Sequence, residues 1–134
     1  MGFRLTSRIT GLIGTVVVLV TMTGCTPHGN VQIIEMYASQ YGVNATTMLG
    51  IASCESNFID SAHNPSGASG LFQFMPSTYN WARNAYFGGD NPPGSIMNSG
   101  YNASTAAAVM RYYGLSPWNG DPYLVTGRFC VGIP

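Results

Sequence analysis

Turn signals recur so often along this chain that few stretches between them exceed the length of a short helix. Seventeen glycines and eight prolines are spread through 134 residues, and between them apolar residues follow helical rather than strand spacing. Val31, Ile34, Tyr37, Ala38 and Tyr41 form an i, i+3, i+4 stripe, with Asn30 as the expected cap and Gly42 as the stop. Asn44 is the expected cap of a second helix with Ala45, Met48, Leu49 and Ala52 on one face. A loop rich in Ser, Asn, Pro and Gly follows from Ser56 to Gly70. Pro76 suits the first turn of a third helix with Tyr79, Ala82 and Tyr86 facing inward, and residues 88–94 read as a surface loop. The clearest helix comes last, with Ala103, Ala106, Ala107, Met110 and Tyr113 on one face and Gly114 as its stop. Nothing alternates with period two beyond a few residues. The expectation is one small, mainly α domain around a single core, with a minor hairpin near Leu71 to Phe74.

Charge is scarce and unevenly placed. Charged residues make up 7% of the chain, five basic against five acidic, and there is no lysine, so the basic footprint of a nucleic-acid binder is missing. Arg4 and Arg8 precede an uncharged apolar run from Ile9 to Val20, the layout of a secretory signal peptide. The run is shorter than the roughly 20 apolar residues of a spanning helix. It leads into Met22-Thr23-Gly24-Cys25, which resembles a bacterial lipobox apart from Met22, where leucine is usual. The expected organisation is therefore a lipoprotein-type signal peptide over 1–24, a short linker over 25–29 and one folded domain over 30–134. Cys25 is the expected lipidation site, tethering an exported protein to the membrane in the cell envelope; a plain cleavable signal, or an uncleaved anchor, with Cys25 incidental is the alternative. Without the leader, Arg83, Arg111 and Arg128 face Glu35, Glu55, Asp60, Asp90 and Asp121, a formal −2. That is too weak to steer a charged ligand or grip a charged surface electrostatically.

Three cysteines in an exported chain leave one over. With Cys25 lipidated, Cys54 and Cys130 remain as a pair for an oxidising compartment. Two separate buried thiols are the alternative.

Of the five carboxylates, four have ordinary settings. Glu35 lies on the polar side of the first helix, and Asp60, Asp90 and Asp121 lie in loops where aspartate serves local turn bonding. Glu55 differs. At 100° per residue it lies about 20° from the direction of Met48 and about 60° from Ala52, on the buried stripe. It also stands at the C-terminal end of its helix, where the dipole and partial burial both oppose ionisation. A carboxyl held protonated near neutral pH is what glycosidic bond cleavage needs, because the leaving oxygen must receive a proton. A glutamate that swings out to solvent would do nothing, and position alone does not separate the two.

The run Cys54-Glu55-Ser56-Asn57-Phe58, followed by Asn64-Pro65-Ser66-Gly67-Ala68-Ser69-Gly70-Leu71-Phe72-Gln73-Phe74-Met75-Pro76-Ser77-Thr78-Tyr79, resembles the core of the soluble-lytic-transglycosylase, goose-type lysozyme-like domain. The match is strong over residues 48–82 and loose to 118. It implies a lysozyme-like small α (α+β) fold with a substrate cleft, Glu55 as catalytic acid/base, and Gly70-Leu71-Phe72-Gln73 as a wall of the sugar site. Gln73, whose amide both donates and accepts, Ser69, Leu71, Phe72, Tyr79 and Trp118 are the expected substrate contacts, although Gln73 reads equally as a core edge and Tyr79 and Trp118 as core aromatics. Ser56 and Ser69 are weaker candidates for bonding Glu55. An Ala-Tyr-Asn segment that closes the cleft in many members is not at its usual place; Tyr101-Asn102 has the residue types but reads also as a cap. Gly114-Leu115-Ser116-Pro117-Trp118 ahead of a terminal cysteine is similar to a compact exported subgroup.

The resemblance implies a monomer acting on peptidoglycan strands by a single-carboxylate route with no metal or cofactor. Glu55 protonates the oxygen leaving N-acetylmuramic acid, the acetamido group stabilises C1, and the C6 hydroxyl closes a 1,6-anhydro ring. His28 and His63 make a poor metal ligand set. Two alternatives stand: a hydrolytic muramidase, lysozyme or resuscitation-promoting-factor-like, and a non-catalytic peptidoglycan-binding lipoprotein.

Overall fold

The computed structural model describes residues 26–134; the expected signal peptide and Cys25 lie outside them. Helix α1 spans Pro27–Tyr41, α2 Ala45–Ser56, α3 Pro76–Phe87, α4 Ser99–Tyr112 and α5 Pro122–Thr126, with 3₁₀ turns at Ser95–Met97 and Ser116–Trp118. The mainly α expectation holds.

The helix ends follow local chemistry. Thr26 Oγ1 accepts from Gly29 N at 3.1 Å with Pro27 in the first turn, so α1 starts three residues before the expected Asn30 cap and absorbs most of the expected linker. Asn30 is instead buried inside the helix and donates from Nδ2 to Phe58 O at 2.9 Å. Asn44 caps α2 as expected, its Oδ1 accepting from Thr47 N at 2.9 Å. Asn98 caps α4, which places Tyr101 and Asn102 in its first turn.

Helix α4 is the centre of the molecule. Asn102 to Val109 are all buried, and its alanines let α1 and α3 pack directly upon it. Tyr113, expected to face inward, lies past the helix end and is exposed. Around α4 gather Ile34 and Ala38 of α1, Met48, Ile51 and Ala52 of α2, Tyr79 of α3, and Phe58, Leu71, Phe72, Phe74 and Trp118 from the connections. Arg83 is buried with its guanidinium 3.8 Å from the Phe87 ring centroid, and donates from Nε to Asp90 O at 2.6 Å, so it ties down the 88–94 loop.

The expected minor hairpin forms at residues 69–74, where Ser69 and Phe74 exchange backbone hydrogen bonds of 3.0 and 3.1 Å. Asn102 locks it from α4: Oδ1 accepts from Phe72 N at 2.9 Å, and Nδ2 donates to Ile96 O at 2.6 Å and Ser69 O at 3.4 Å. Gly70 has a left-handed φ of 82° and lies against Asn102 and the Ile96 carbonyl, so a Cβ there would overlap both. Gly70→Ala should lower stability by about 2–4 kcal/mol from the left-handed backbone and overpacking together, read as a drop in urea midpoint without a change in slope.

Candidate active site

Glu55 occupies the last turn of α2, a turn that holds no basic residue. Burial of the carboxyl, then hydrogen bonding to Asp121, then the charge of Asp121 push its pKa up to about 8. The half-buried carboxyl stands beside a turn that is itself strained. Asn57 and Phe58 have left-handed φ of 54° and 61°, costly for a buried phenylalanine. The Asn30 bond to Phe58 O holds that turn, so the buried stripe of α1 fixes where α2 stops.

Asp121 was expected to be an ordinary loop aspartate. It is buried, and it reaches Glu55 because α5 and the tail fold back on α2. Two contacts fasten them. Gly50 lets the Tyr123 ring lie directly on α2, where any Cβ would overlap it. Cys54 and Cys130 form the disulfide, with Cα atoms 4.9 Å apart, as the pairing of the two cysteines predicts.

The expected substrate contacts divide. Leu71, Phe72 and Tyr79 are at most 1% exposed, and their side chains offer a sugar no surface: hydrophobic burial has claimed them for the core. Tyr79 also spends its hydroxyl on Ser95 Oγ at 3.1 Å. Ser69 is buried too, bonded to His63 Nδ1 at 2.7 Å and Gly67 O at 3.2 Å, and Ser56 returns its hydroxyl to Ala52 O at 3.1 Å. Neither serine bonds Glu55. Gln73 has a left-handed φ of 48° and donates from Nε2 to Ala62 O at 3.0 Å and Gly70 O at 2.9 Å. Its amide hydrogens are thus committed to the fold, leaving the carbonyl oxygen as an acceptor.

A groove of about 630 Å³ lies between α3 and the 116–118 turn, lined by Gln73, Met75, Thr78, Trp81, Tyr113 and Trp118 among others. Glu55 does not line it. The Trp118–Asp121 turn connects the two, with Asp121 N donating to Trp118 O at 2.9 Å. Trp118 is a wall of the groove rather than a free ring: Nε1 donates to Phe72 O at 2.9 Å and its edge packs on Phe74 at 5.4 Å. The exposed aromatics that line the groove are Trp81 and Tyr113, with ring centroids 5.1 Å apart. Trp81 was not singled out in the sequence, where it is one aromatic among many on α3. Among the described residues, no group of three or more His, Cys, Asp or Glu side chains is placed to hold a metal ion, and no helix is long and apolar enough to cross a membrane.

Known proteins resemble this chain in sequence and fold. The probable transglycosylase IsaA of Staphylococcus aureus strain bovine RF122 / ET3-1 is 37% identical over 84 residues, 63% of this chain and 30% of the relative. The same-named protein of strain Newman is 52% identical over 42 residues, 31% of this chain and 18% of the relative. The chain thus spans less than a third of the curated relatives it matches. A solved structure of an inactive mutant of lytic transglycosylase Slt from Pseudomonas aeruginosa superimposes with a TM-score of 0.57 over 75% of this chain and 16% of that one, at 22% identity, which is a likeness of fold. The model of the transglycosylase SLT domain matches residues 32–126, well over half of the sequence, and the chain belongs to that family.

Proposed function

We infer that this protein is a lytic transglycosylase that cuts the β-1,4 bond between N-acetylmuramic acid and N-acetylglucosamine in peptidoglycan and leaves a 1,6-anhydro end. The observation that carries the reading is Glu55, a half-buried glutamic acid whose pKa is pushed up to about 8, by burial first and then by Asp121. It keeps its proton at neutral pH and can give it to the leaving oxygen. The resulting carboxylate is basic enough to take the proton of the sugar's C6 hydroxyl as O6 attacks C1. The acetamido group of the same sugar carries the positive charge between the two steps, so no second carboxylate and no water are needed.

The position of Asp121 supports this route over hydrolysis. A glycosidase with two catalytic carboxyls holds them about 5–9.5 Å apart so that a sugar, with or without a water, fits between. Asp121 lies within hydrogen-bonding reach of Glu55, too close for C1 to sit between the two carboxyls. The strand runs from Glu55 past the Trp118–Asp121 turn into the groove, where the exposed rings of Trp81 and Tyr113 suit the apolar faces of sugars and the free oxygen of Gln73 accepts from an amide or hydroxyl. Cys25 carries the lipid that holds the exported monomer at the membrane, facing the wall.

Release of soluble muropeptides from purified peptidoglycan tests the reading. Turnover should persist through pH 7 and decline as the pH rises through about 8, where Glu55 gives up its proton. Turnover that instead rises through that range would assign the chemistry to a group that must be ionised.

A further inference from the structure

Asp121 opens α5, where its Oδ1 accepts from Tyr123 N at 2.8 Å and caps the helix. Its second oxygen, Oδ2, is buried and receives no hydrogen bond from any backbone N–H or standing side-chain donor among the described residues. Leaving a buried acceptor unsatisfied costs about 1–3 kcal/mol, and more for a charged group. The side chain within hydrogen-bonding reach is Glu55, and a carboxyl can donate only while it holds its proton. The fold therefore satisfies Asp121 only when the pair holds a proton between them.

We propose that Asp121 is a positioning residue for Glu55: its otherwise unpartnered Oδ2 accepts the Glu55 carboxyl hydrogen, so the pair shares one proton until substrate takes it. This rests on Glu55 being the acid/base. The proton passes from Glu55 to the leaving glycosidic oxygen, and the pair is then doubly negative. Repulsion between the two carboxylates makes Glu55 a stronger base toward the C6 hydroxyl, whose proton restores the starting state. No proton is gained or lost over the cycle. Helix α5 and the disulfide acquire a purpose here, since both hold the second carboxylate against the first.

The other titratable or charged groups on the elements packed against α2 are His28, Glu35, Tyr37 and Tyr41 of α1, Tyr123 of α5 and Arg128 of the tail; Asp121 alone among them acts on the Glu55 proton. Asp121→Asn isolates the effect. Asparagine keeps the Oδ1 cap, being as good a cap as aspartate, but offers Glu55 an N–H, which favours the ionised form. The alkaline limb of kcat/KM should move toward acid by about one pH unit or more, with KM unchanged because Asp121 is buried. A carbon-13 NMR titration of the Glu55 carboxyl should show the same displacement without reference to activity. A folded variant in which both the limb and the titration stay where they are overturns the proposal, leaving Asp121 as a cap alone. Should asparagine prevent folding, Asp121→Ser keeps a capping oxygen, removes the charge, and must displace the titration likewise. If the wild type releases no muropeptides yet its Glu55 titration moves in the variant, the proton-sharing pair stands and the assigned reaction falls.

Discussion

Replacing Glu55 with glutamine should lower muropeptide release by about 10² to 10⁴, the usual contribution of a positioned acid/base, while retaining binding to peptidoglycan. It should also make the protein more stable, and increasingly so as pH rises. The folded state holds the Glu55 proton up to about pH 8, whereas the unfolded chain releases it near 4.5. Below about 4.5 both states are protonated and the group contributes no difference. Between the two values folding takes up a proton, so stability declines with rising pH. Above 8 the full penalty of an ionised carboxylate beside Asp121 is in place. Glutamine is neutral throughout and can donate to Asp121 Oδ2 in the same way. Its advantage should be near zero at pH 4 and greatest at pH 8 and above, on the order of 1–2 kcal/mol once solvent screening of the partly exposed group is allowed for. Thermal melts of both proteins across that range check the sign. A glutamine variant less stable than wild type at pH 8 would mean that the glutamate is a structural ion rather than a held acid.

Loss of the Cys54–Cys130 disulfide should have the largest effect on the fold. The bridge spans a sequence separation of 76, and closing a loop of that length is worth about 4–5 kcal/mol in the chain-entropy model. For a domain of this size that corresponds to a fall of about 20 °C in Tm, measurable after replacing both cysteines with alanine. Activity should suffer before the fold is lost. Cys54 adjoins Glu55, and the tail that Cys130 holds follows directly on α5, whose first turn carries Asp121. Cys130 N also donates to Ser53 Oγ at 3.2 Å, so part of that anchoring survives in the alanine variant. Wild-type stability and turnover in the doubly substituted protein would show that packing of Tyr123 on Gly50 suffices.

What could be read from the sequence was what local chemistry decides. The Asn44 cap, the proline opening α3, the alanine stripe of α4 and the stop at Gly42 each act within a turn of themselves, and each stands where the pattern places it. Asn30 misled because it has the chemistry of a cap while Thr26, four residues earlier, has that chemistry with a proline after it as well. The motif around residues 69–74 carried a different ambiguity. Apolar residues within a recognisable site motif serve either the ligand or the core, and the folded chain sends Leu71 and Phe72 inward while exposing part of Gln73. Asp121 was illegible for a further reason. The five residues of α5 show no period, and the partner that gives the carboxylate its meaning is remote in sequence, reached only because the disulfide and Gly50 bring the tail onto α2. The pairing of Cys54 with Cys130 was open to reading, but the sequence did not say that this closure would set a second carboxylate beside Glu55.

The most direct test of the account is the mass of the muropeptides that the purified protein releases from peptidoglycan, measured beside Glu55→Gln. Products ending in 1,6-anhydro-N-acetylmuramic acid, from the wild type and not from the variant, are the predicted result. Products heavier by one water, with free reducing ends, would contradict it and make the protein a hydrolase.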